Sequence, residues 1–133
     1  MSVTIVVGYA PTREGKAALA TGIEEAAVRG GGVVVINASR GDSWVDEGFV
    51  QGDSLARLQS VLAEARVPTE LRQPVRGNDP AEEVVDAAEE VGAELIVVGM
   101  RRRTPLGKLL MGSTAQRIIL DATVPVLAVK APR

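Results

Sequence analysis

The sequence contains neither cysteine nor histidine among its 133 residues, and each absence removes a kind of chemistry. Without cysteine there are no disulfides and no thiol nucleophile, which fits a reducing compartment such as the cytoplasm. Without histidine the chain lacks the most common general base and the most common zinc ligand, so Ser-His and Cys-His catalysis are excluded. We therefore expect a protein that binds rather than catalyses, with no catalytic residues and no metal site of its own.

Aromatic residues are scarce as well. They make up 2% of the chain (Tyr9, Trp44 and Phe49) while hydrophobic residues make up 46%, so the core must consist of aliphatic side chains. This composition favours a parallel sheet covered by helices, because strands buried on both faces are aliphatic throughout. The formal net charge of −2 provides no basic field for nucleic acid or an anionic membrane. The apolar runs are too short to span a membrane and the N-terminus has no signal-peptide pattern, so we expect a cytoplasmic protein.

Four aliphatic runs and one more polar run alternate with segments of helical spacing. The aliphatic runs are residues 3–7, 33–36, 95–98 and 124–129, and the polar run is residues 69–73. The alternation predicts one α/β domain over residues 1–133, in which right-handed helical crossovers join parallel strands. A polar strand suits a sheet edge and the most apolar strands suit its centre. We therefore predict a three-layer α/β/α domain with a five-stranded parallel sheet in the order 3-2-1-4-5.

Residues typical of helix ends agree with these boundaries. Asp79 and Pro80 form an N-cap followed by a proline at the first helical position. Glycines at 30–32 and at 92 are expected to end the first and third helices. Ser113 is expected to open the fourth helix as the N-cap of a capping box.

The connection that follows strand 4, residues 99–112, is clearly longer than the usual length of such loops, about 2–6 residues. It lies where the sheet reverses its winding direction, and ligands of such sheets bind there, beyond the carboxyl ends of the strands. It leads into Ser113 and Thr114 at a predicted helix N-terminus, where free amides and the helix dipole suit a phosphate. Its basic residues, which could supply counter-charge, are Arg101, Arg102, Arg103 and Lys108. Spacing alone leaves a second interpretation open, namely a turn and an N-cap beside solvated arginines.

The residues of this connection resemble the universal stress protein family. The similarity lies in residues 97–99 before the basic loop, in Leu-Leu-Met-Gly-Ser-Thr-Ala-Gln-Arg-Ile at 109–118, and in Val-Pro-Val-Leu-Ala-Val at 124–129. It extends to Ile-Val-Val-Gly-Tyr at 5–9 and so covers nearly the whole chain. The resemblance implies a five-stranded parallel sheet of the predicted order, and many family members bind ATP or AMP through the pattern G-x2-G-x9-G-[ST].

Two of the three glycines in that pattern are present. By resemblance Gly99 is the first, and Gly112 with the Ser113 hydroxyl is the last. Arg102 stands where the middle glycine is expected. An arginine there blocks a close approach of the backbone, but its guanidinium could bind a phosphate instead.

The turn after strand 1 departs from the family as well. Nucleotide-binding members usually have an aspartate near the adenine and ribose, and this chain has Ala10 followed by Pro11 and Thr12. By resemblance Asn37, after strand 2, lies beside the adenine, where its amide could pair with a base edge or could instead cap the strand end. Ala10 and Arg102 both make the crevice more electropositive, so we expect phosphates to be bound with weak selectivity for the base.

The resemblance and the loop together define the predicted cofactor-binding residues. They are Ala10, Pro11, Thr12, Asn37, Val98, Gly99, Arg101, Arg102, Gly112, Ser113, Thr114 and Ala115. The expected ligand is ATP, AMP or another phosphate compound, with Mg²⁺ only if ATP is bound. The resemblance implies a role in stress-adaptation signalling, and the alternative is a dimeric protein-interaction module that has lost nucleotide binding. A slow ATPase that relies on Mg²⁺ is a third hypothesis.

Two other features have less specific interpretations. Trp44 and Phe49 lie between strand 2 and helix 2, where they could form a flap or a partner surface, or simply attach a long loop to the domain. The arginines at 101–103 could contact nucleic-acid phosphates. The acidic chain and the lack of nearby aromatics for base stacking argue against that partner.

The last strand generates a prediction about assembly. An aliphatic edge strand invites pairing, and by resemblance this strand pairs across a two-fold axis, so we predict a homodimer with Val124, Val126 and Val129 at the interface. The variant Val126→Asp should yield monomeric or insoluble protein, because it places a charge in the paired edge. Light scattering measures the outcome, and a dimer that persists unchanged would place the interface elsewhere.

Overall fold

The fold was established from a computed structural model that describes residues 3–41, 47–101 and 111–132. Strands and helices alternate along the chain as predicted. The elements are β1 (Thr4–Gly8), α1 (Arg13–Arg29), β2 (Gly32–Ile36), α2 (Gly52–Glu64), β3 (Thr69–Arg72), α3 (Pro80–Val91), β4 (Leu95–Met100), α4 (Ser113–Asp121) and β5 (Val126–Lys130).

All five strands form one parallel sheet in the order β3-β2-β1-β4-β5, which confirms the predicted topology. The polar strand β3 lies at one edge and β5 at the other, while β1 pairs with β2 on one side and with β4 on the other. In the register, Val7 of β1 lies opposite Val35 of β2 and Val97 of β4. These central strands are the most completely buried, as their aliphatic composition predicts.

The helices cover both faces of the sheet and form two hydrophobic cores. Val7 packs in a cluster with residues of α1 and α2, including Leu19 and Leu58. Val6, whose side chain points to the opposite face, packs with residues of α3 and α4, including Val84 and Ile118. The alternation of side chains along β1 therefore produces the three-layer α/β/α arrangement. None of the helices in the described ranges is long and apolar enough to cross a membrane.

The helix ends confirm three predictions and correct one. Gly30 and Gly92 end α1 and α3 in the left-handed conformation, and the Asp79 carboxylate accepts a hydrogen bond from the Ala81 amide. The predicted capping box of α4 is wrong, because Gly112 is the N-cap and Ser113 is the first helical residue. Glycine has no side chain, so the N-cap residue of α4 makes no capping hydrogen bond to the first-turn amides.

Helix α1 lies unusually close to the sheet at Gly22. A Cβ atom on Gly22 would lie 2.5 Å from Cγ2 of Val7, well inside van der Waals contact. Glycine in a helix ordinarily costs about 0.5–1 kcal/mol relative to alanine. Here the short distance to β1 accounts for its presence.

We therefore predict that Gly22→Ala destabilises the fold despite the better helix propensity of alanine. Forcing a methyl group against Val7 should lower the free energy of unfolding by about 1–3 kcal/mol, measured by urea denaturation. Val7→Ala removes the opposing atom, so the double variant should lose at least about 1 kcal/mol less than the sum of the two single losses. Strictly additive losses would show that the two residues do not compete for the same space.

Candidate functional site

A cavity of about 360 Å³ opens beyond the carboxyl ends of β1 and β4, at the point where the sheet reverses its winding direction. This is the location that the strand order predicts for a ligand. Its lining includes nine of the predicted site residues, Ala10, Thr12, Val98, Gly99, Arg101, Gly112, Ser113, Thr114 and Ala115. Pro11 and Asn37 are not among the lining residues, and Arg102 lies outside the described residues.

The floor of the cavity is apolar and lies between α3 and α4. Ile36, Val84, Val98 and Ile118 contribute side chains to it, and Gly8 provides space at the end of β1. A Cβ atom on Gly8 would lie 3.3 Å from methyl groups of Val84 and Val98, so even a methyl group there would crowd the floor. The surface suits a flat, weakly polar group such as a heteroaromatic ring.

The N-terminus of α4 forms an electropositive part of the described lining. The first bond of the helix runs from the Gln116 amide to the Gly112 carbonyl at 3.0 Å. The amides of Ser113, Thr114 and Ala115 precede that bond and find no acceptor among the described residues. Three free N–H groups at the positive end of a helix dipole form a site for an anion.

Asn37 has a structural role that the sequence offered only as an alternative. Its side chain is buried and makes four hydrogen bonds. The amide nitrogen donates to the carbonyls of Tyr9 (2.9 Å) and Gly48 (2.7 Å), and the amide oxygen accepts from the Val50 amide (2.7 Å) and from Gln73 (3.2 Å). All of its donors and its acceptor are occupied. In this conformation Asn37 therefore caps the strand end, the second of its two alternative roles, and no group of its side chain is left to pair with a base edge.

The neighbouring Ala38 has a backbone donor and a backbone acceptor that are not used by any described residue. The amides of Asn37 and Ser39 donate toward the β3 side, to the carbonyls of Arg72 and Pro74. Because successive residues of an extended strand alternate in direction, the N–H and C=O of Ala38 point toward the cavity that this residue lines. Neither group has a partner in the described part of the chain. Sequence reasoning missed Ala38 because its side chain carries no chemistry.

Two charged residues stand across from the apolar floor. Glu14, in the first turn of α1, has an oxygen 3.8 Å from Nε of Arg101, which is beyond hydrogen-bonding distance. The Glu14 side chain is 22% exposed and that of Arg101 is 65% exposed. Nearby, burial raises the pKa of the Tyr9 phenol and the positive charge of Arg57 opposes part of that rise, so Tyr9 is a neutral group of the lining. In the described ranges no cluster of three or more acidic residues could hold a metal ion.

Comparison with known proteins agrees with this geometry. The chain matches the family model described as "Universal stress protein family" over residues 1–130. The chain belongs to the universal stress protein family. A universal stress protein of Mycolicibacterium smegmatis is 48% identical over 126 residues, which cover 95% of this chain and 96% of that protein. The structure of a universal stress protein from Archaeoglobus fulgidus has a TM-score of 0.80 at 31% identity and covers 98% and 99% of the two chains. A second structure from that organism, in complex with dAMP, has a TM-score of 0.67 at 26% identity and covers 98% of each chain.

Other predicted features of this universal stress protein have mixed outcomes. Gly112 has a φ of −61°, and a Cβ atom on it would meet nothing within 4 Å, so neither backbone strain nor crowding by described atoms requires a glycine there. Phe49 is half-buried. Trp44, Arg103 and Lys108 lie outside the described residues, and the homodimer stays a prediction.

The hydrogen bonds of Asn37 predict that it is a principal determinant of stability at this end of the universal stress protein fold. Asn37→Ala removes the side-chain hydrogen bonds to the Val50 amide and to the carbonyls of Tyr9 and Gly48, and should lower the free energy of unfolding by roughly 2–4 kcal/mol. Gln73→Ala is the matched control, since it removes one hydrogen bond to Asn37 and one to the Val50 carbonyl (2.7 Å) and should cost less, about 1–2 kcal/mol. Equal losses in the two variants, measured by urea denaturation, would contradict a central role for Asn37.

Proposed function

We propose that this universal stress protein binds an adenine nucleotide in the cavity between β1 and β4, with the phosphate on α4 and the base against Ala38. The observation that carries the proposal is that one cavity holds backbone groups suited to both ends of such a ligand, none of which has a partner among the described residues. The related Archaeoglobus fulgidus structure in complex with dAMP supports it, because dAMP has the same two ends, an adenine and a phosphate.

The phosphate is assigned to α4 on chemical grounds. An anion there receives hydrogen bonds from the free amides of the first turn, and the hydroxyls of Ser113 and Thr114 line the same wall. A hydrogen bond to a charged group contributes about 1.5–3 kcal/mol, roughly twice a neutral one. Arg101, which is largely exposed at the cavity, adds a counter-charge.

The base is assigned to the opposite end of the cavity, beside Ala38. Adenine presents an acceptor, N1, next to a donor, the N6 amino group, and this pair complements the free N–H and C=O of Ala38. Guanine presents a carbonyl and an N–H in the reverse order, so it matches less well when its sugar and phosphate are held in place. Because of Ala38, we expect the site to prefer adenine over guanine more strongly than the loop sequence alone suggested.

Signalling, rather than catalysis, is the role that we propose for this binding. The bound nucleotide would change what the protein presents to a partner, and the chain's lack of histidine offers no general base of the usual kind. The cytoplasmic location and the homodimer also belong to the proposal. The competing function is a protein-interaction module of the same fold without nucleotide affinity.

Calorimetric titration of AMP, GMP and pyrophosphate distinguishes these functions. We expect AMP to bind more tightly than GMP, because only adenine matches Ala38, and pyrophosphate to bind more weakly than either. Heat from none of the three would refute nucleotide binding and favour the interaction module. Equal affinity for AMP and GMP would show that Ala38 does not recognise the base.

A proline variant tests the phosphate assignment without disturbing the helix. Ser113 is the first residue of α4, a position where proline is well tolerated because its missing N–H would have no partner within the helix. Gly112, with ψ of 151°, already has the extended conformation that a following proline requires. Ser113→Pro removes the amide donor and the hydroxyl, and the control Ser113→Ala removes the hydroxyl alone. Relative to this control, Ser113→Pro should bind AMP about tenfold or more weakly at an unchanged melting temperature. Equal affinities in the two variants would place the phosphate elsewhere.

A further inference from the structure

We propose that Glu14 determines the sugar specificity of this site, by accepting hydrogen bonds from the adjacent 2′ and 3′ hydroxyls of the ligand. The inference rests on the proposed nucleotide binding and adds a third contact to it. It names the class of ligand as ribonucleotide, in preference to nucleotides whose sugar lacks these hydroxyls.

Glu14 reaches the cavity because α1 begins directly against the end of β4. A Cβ atom on Gly99 would lie 2.5 Å from the carbonyl carbon and oxygen of Glu14, so the backbones of the two residues are in contact. Both residues line the cavity. The sheet order β2-β1-β4 places this contact on the far side of β1 from Ala38, which follows β2. Neighbouring strands are about 4.8 Å apart. Glu14, against the end of β4, therefore lies two strands away from the proposed base position at the end of β2. This displacement is toward α4, which follows β4.

The order of these three positions matches the order of the parts of a nucleotide. Ala38 lies at one end, the α4 amides lie at the other, and Glu14 stands at the strand pair between them. In a nucleotide the sugar connects the base to the phosphate. The ligand orientation proposed above therefore brings the sugar to Glu14.

The charge and the acceptor oxygens of the Glu14 carboxylate determine which part of a nucleotide it can contact. Glu14 is the one negative charge among the described lining residues, and it repels a phosphate. An ionised carboxylate accepts hydrogen bonds and donates none, so it requires donors from the ligand. Its separation of 3.8 Å from Nε of Arg101 leaves hydrogen-bonding capacity on its oxygens. Two neighbouring hydroxyls supply two donors to two oxygens, and Ala10, which lines the cavity nearby, has no side-chain acceptor to compete.

If Glu14 had a purely structural role, replacing it would not change the relative affinity for ligands with and without the sugar hydroxyls. A carboxylate in the first turn of α1 interacts favourably with the helix dipole, and this interaction affects stability without regard to the ligand's sugar. The affinity ratio of two ligands that differ only in their hydroxyls separates the two roles, because effects on folding and on phosphate repulsion cancel in the ratio.

The experiment compares AMP with 2′,3′-dideoxyadenosine monophosphate by calorimetry in the wild type, in Glu14→Gln and in Glu24→Gln. The wild type should bind AMP about tenfold or more tightly, as expected for hydrogen bonds to a charged acceptor. In Glu14→Gln this ratio should fall severalfold toward one. Glu24 is an exposed residue of the same helix outside the cavity lining, so its variant should retain the full wild-type ratio.

Each other outcome contradicts a specific statement. A wild-type ratio near one, or a ratio that Glu14→Gln leaves unchanged, overturns the role of Glu14 while nucleotide binding itself stands. A ratio that falls equally in Glu24→Gln also overturns it, since the effect would then not be local to the cavity. If neither nucleotide binds the wild type, the proposed function fails first. Where the ratio behaves as expected, the 2′-deoxy and 3′-deoxy monophosphates identify which hydroxyl contributes more.

Discussion

The side-chain amide of Asn37 holds together the end of the sheet on which the candidate site is built. It joins the carbonyl at the end of β1 to the chain that enters α2, through Tyr9, Gly48 and Val50. The side-chain amide of Asn37 donates to the Tyr9 carbonyl, which would otherwise be the next backbone acceptor for a hydrogen bond from β2 to β1. The ladder stops there, and the polar groups of Ala38 are left for another partner. A single buried side chain thereby connects these segments and leaves the polar groups of Ala38 open to the cavity.

Close backbone approaches set the shape of the cavity around that opening. The first turn of α1 lies against β4 at Gly99, and a Cβ atom on Gly15 would lie 2.0 Å from the Ala10 carbonyl oxygen. These contacts bring the only acidic group of the described lining next to an arginine at the centre of the cavity. The amides that lack an acceptor among the described residues lie at one end of the cavity, at the α4 N-terminus, so they favour one orientation of a ligand with a single anionic end.

Sequence periodicity was sufficient for the topology, because alternating aliphatic strands and amphipathic helices admit few arrangements. The glycine caps and the Asp79 cap were also predictable, since each depends on local geometry alone. Side-chain chemistry was a poorer guide to the site. It pointed to the amide of Asn37, but that amide is fully used in hydrogen bonds within the fold. It did not point to Ala38, because the contribution of that residue depends on where the neighbouring strand ends. Ser113 was misplaced by one residue because a capping motif can match without being used.

Both ends of the proposed ligand meet main-chain groups, and this has a consequence for how such a site would evolve. Replacing Ala38 or Thr114 with another small residue leaves the peptide N–H and C=O where they were. An alanine scan would therefore pass over most of the recognition surface, and drift in the identity of these residues need not signal lost binding. What must be kept for binding is the course of the backbone, and not the identity of these side chains. Insertions, deletions and prolines, rather than ordinary replacements, are the changes to which this type of recognition is vulnerable.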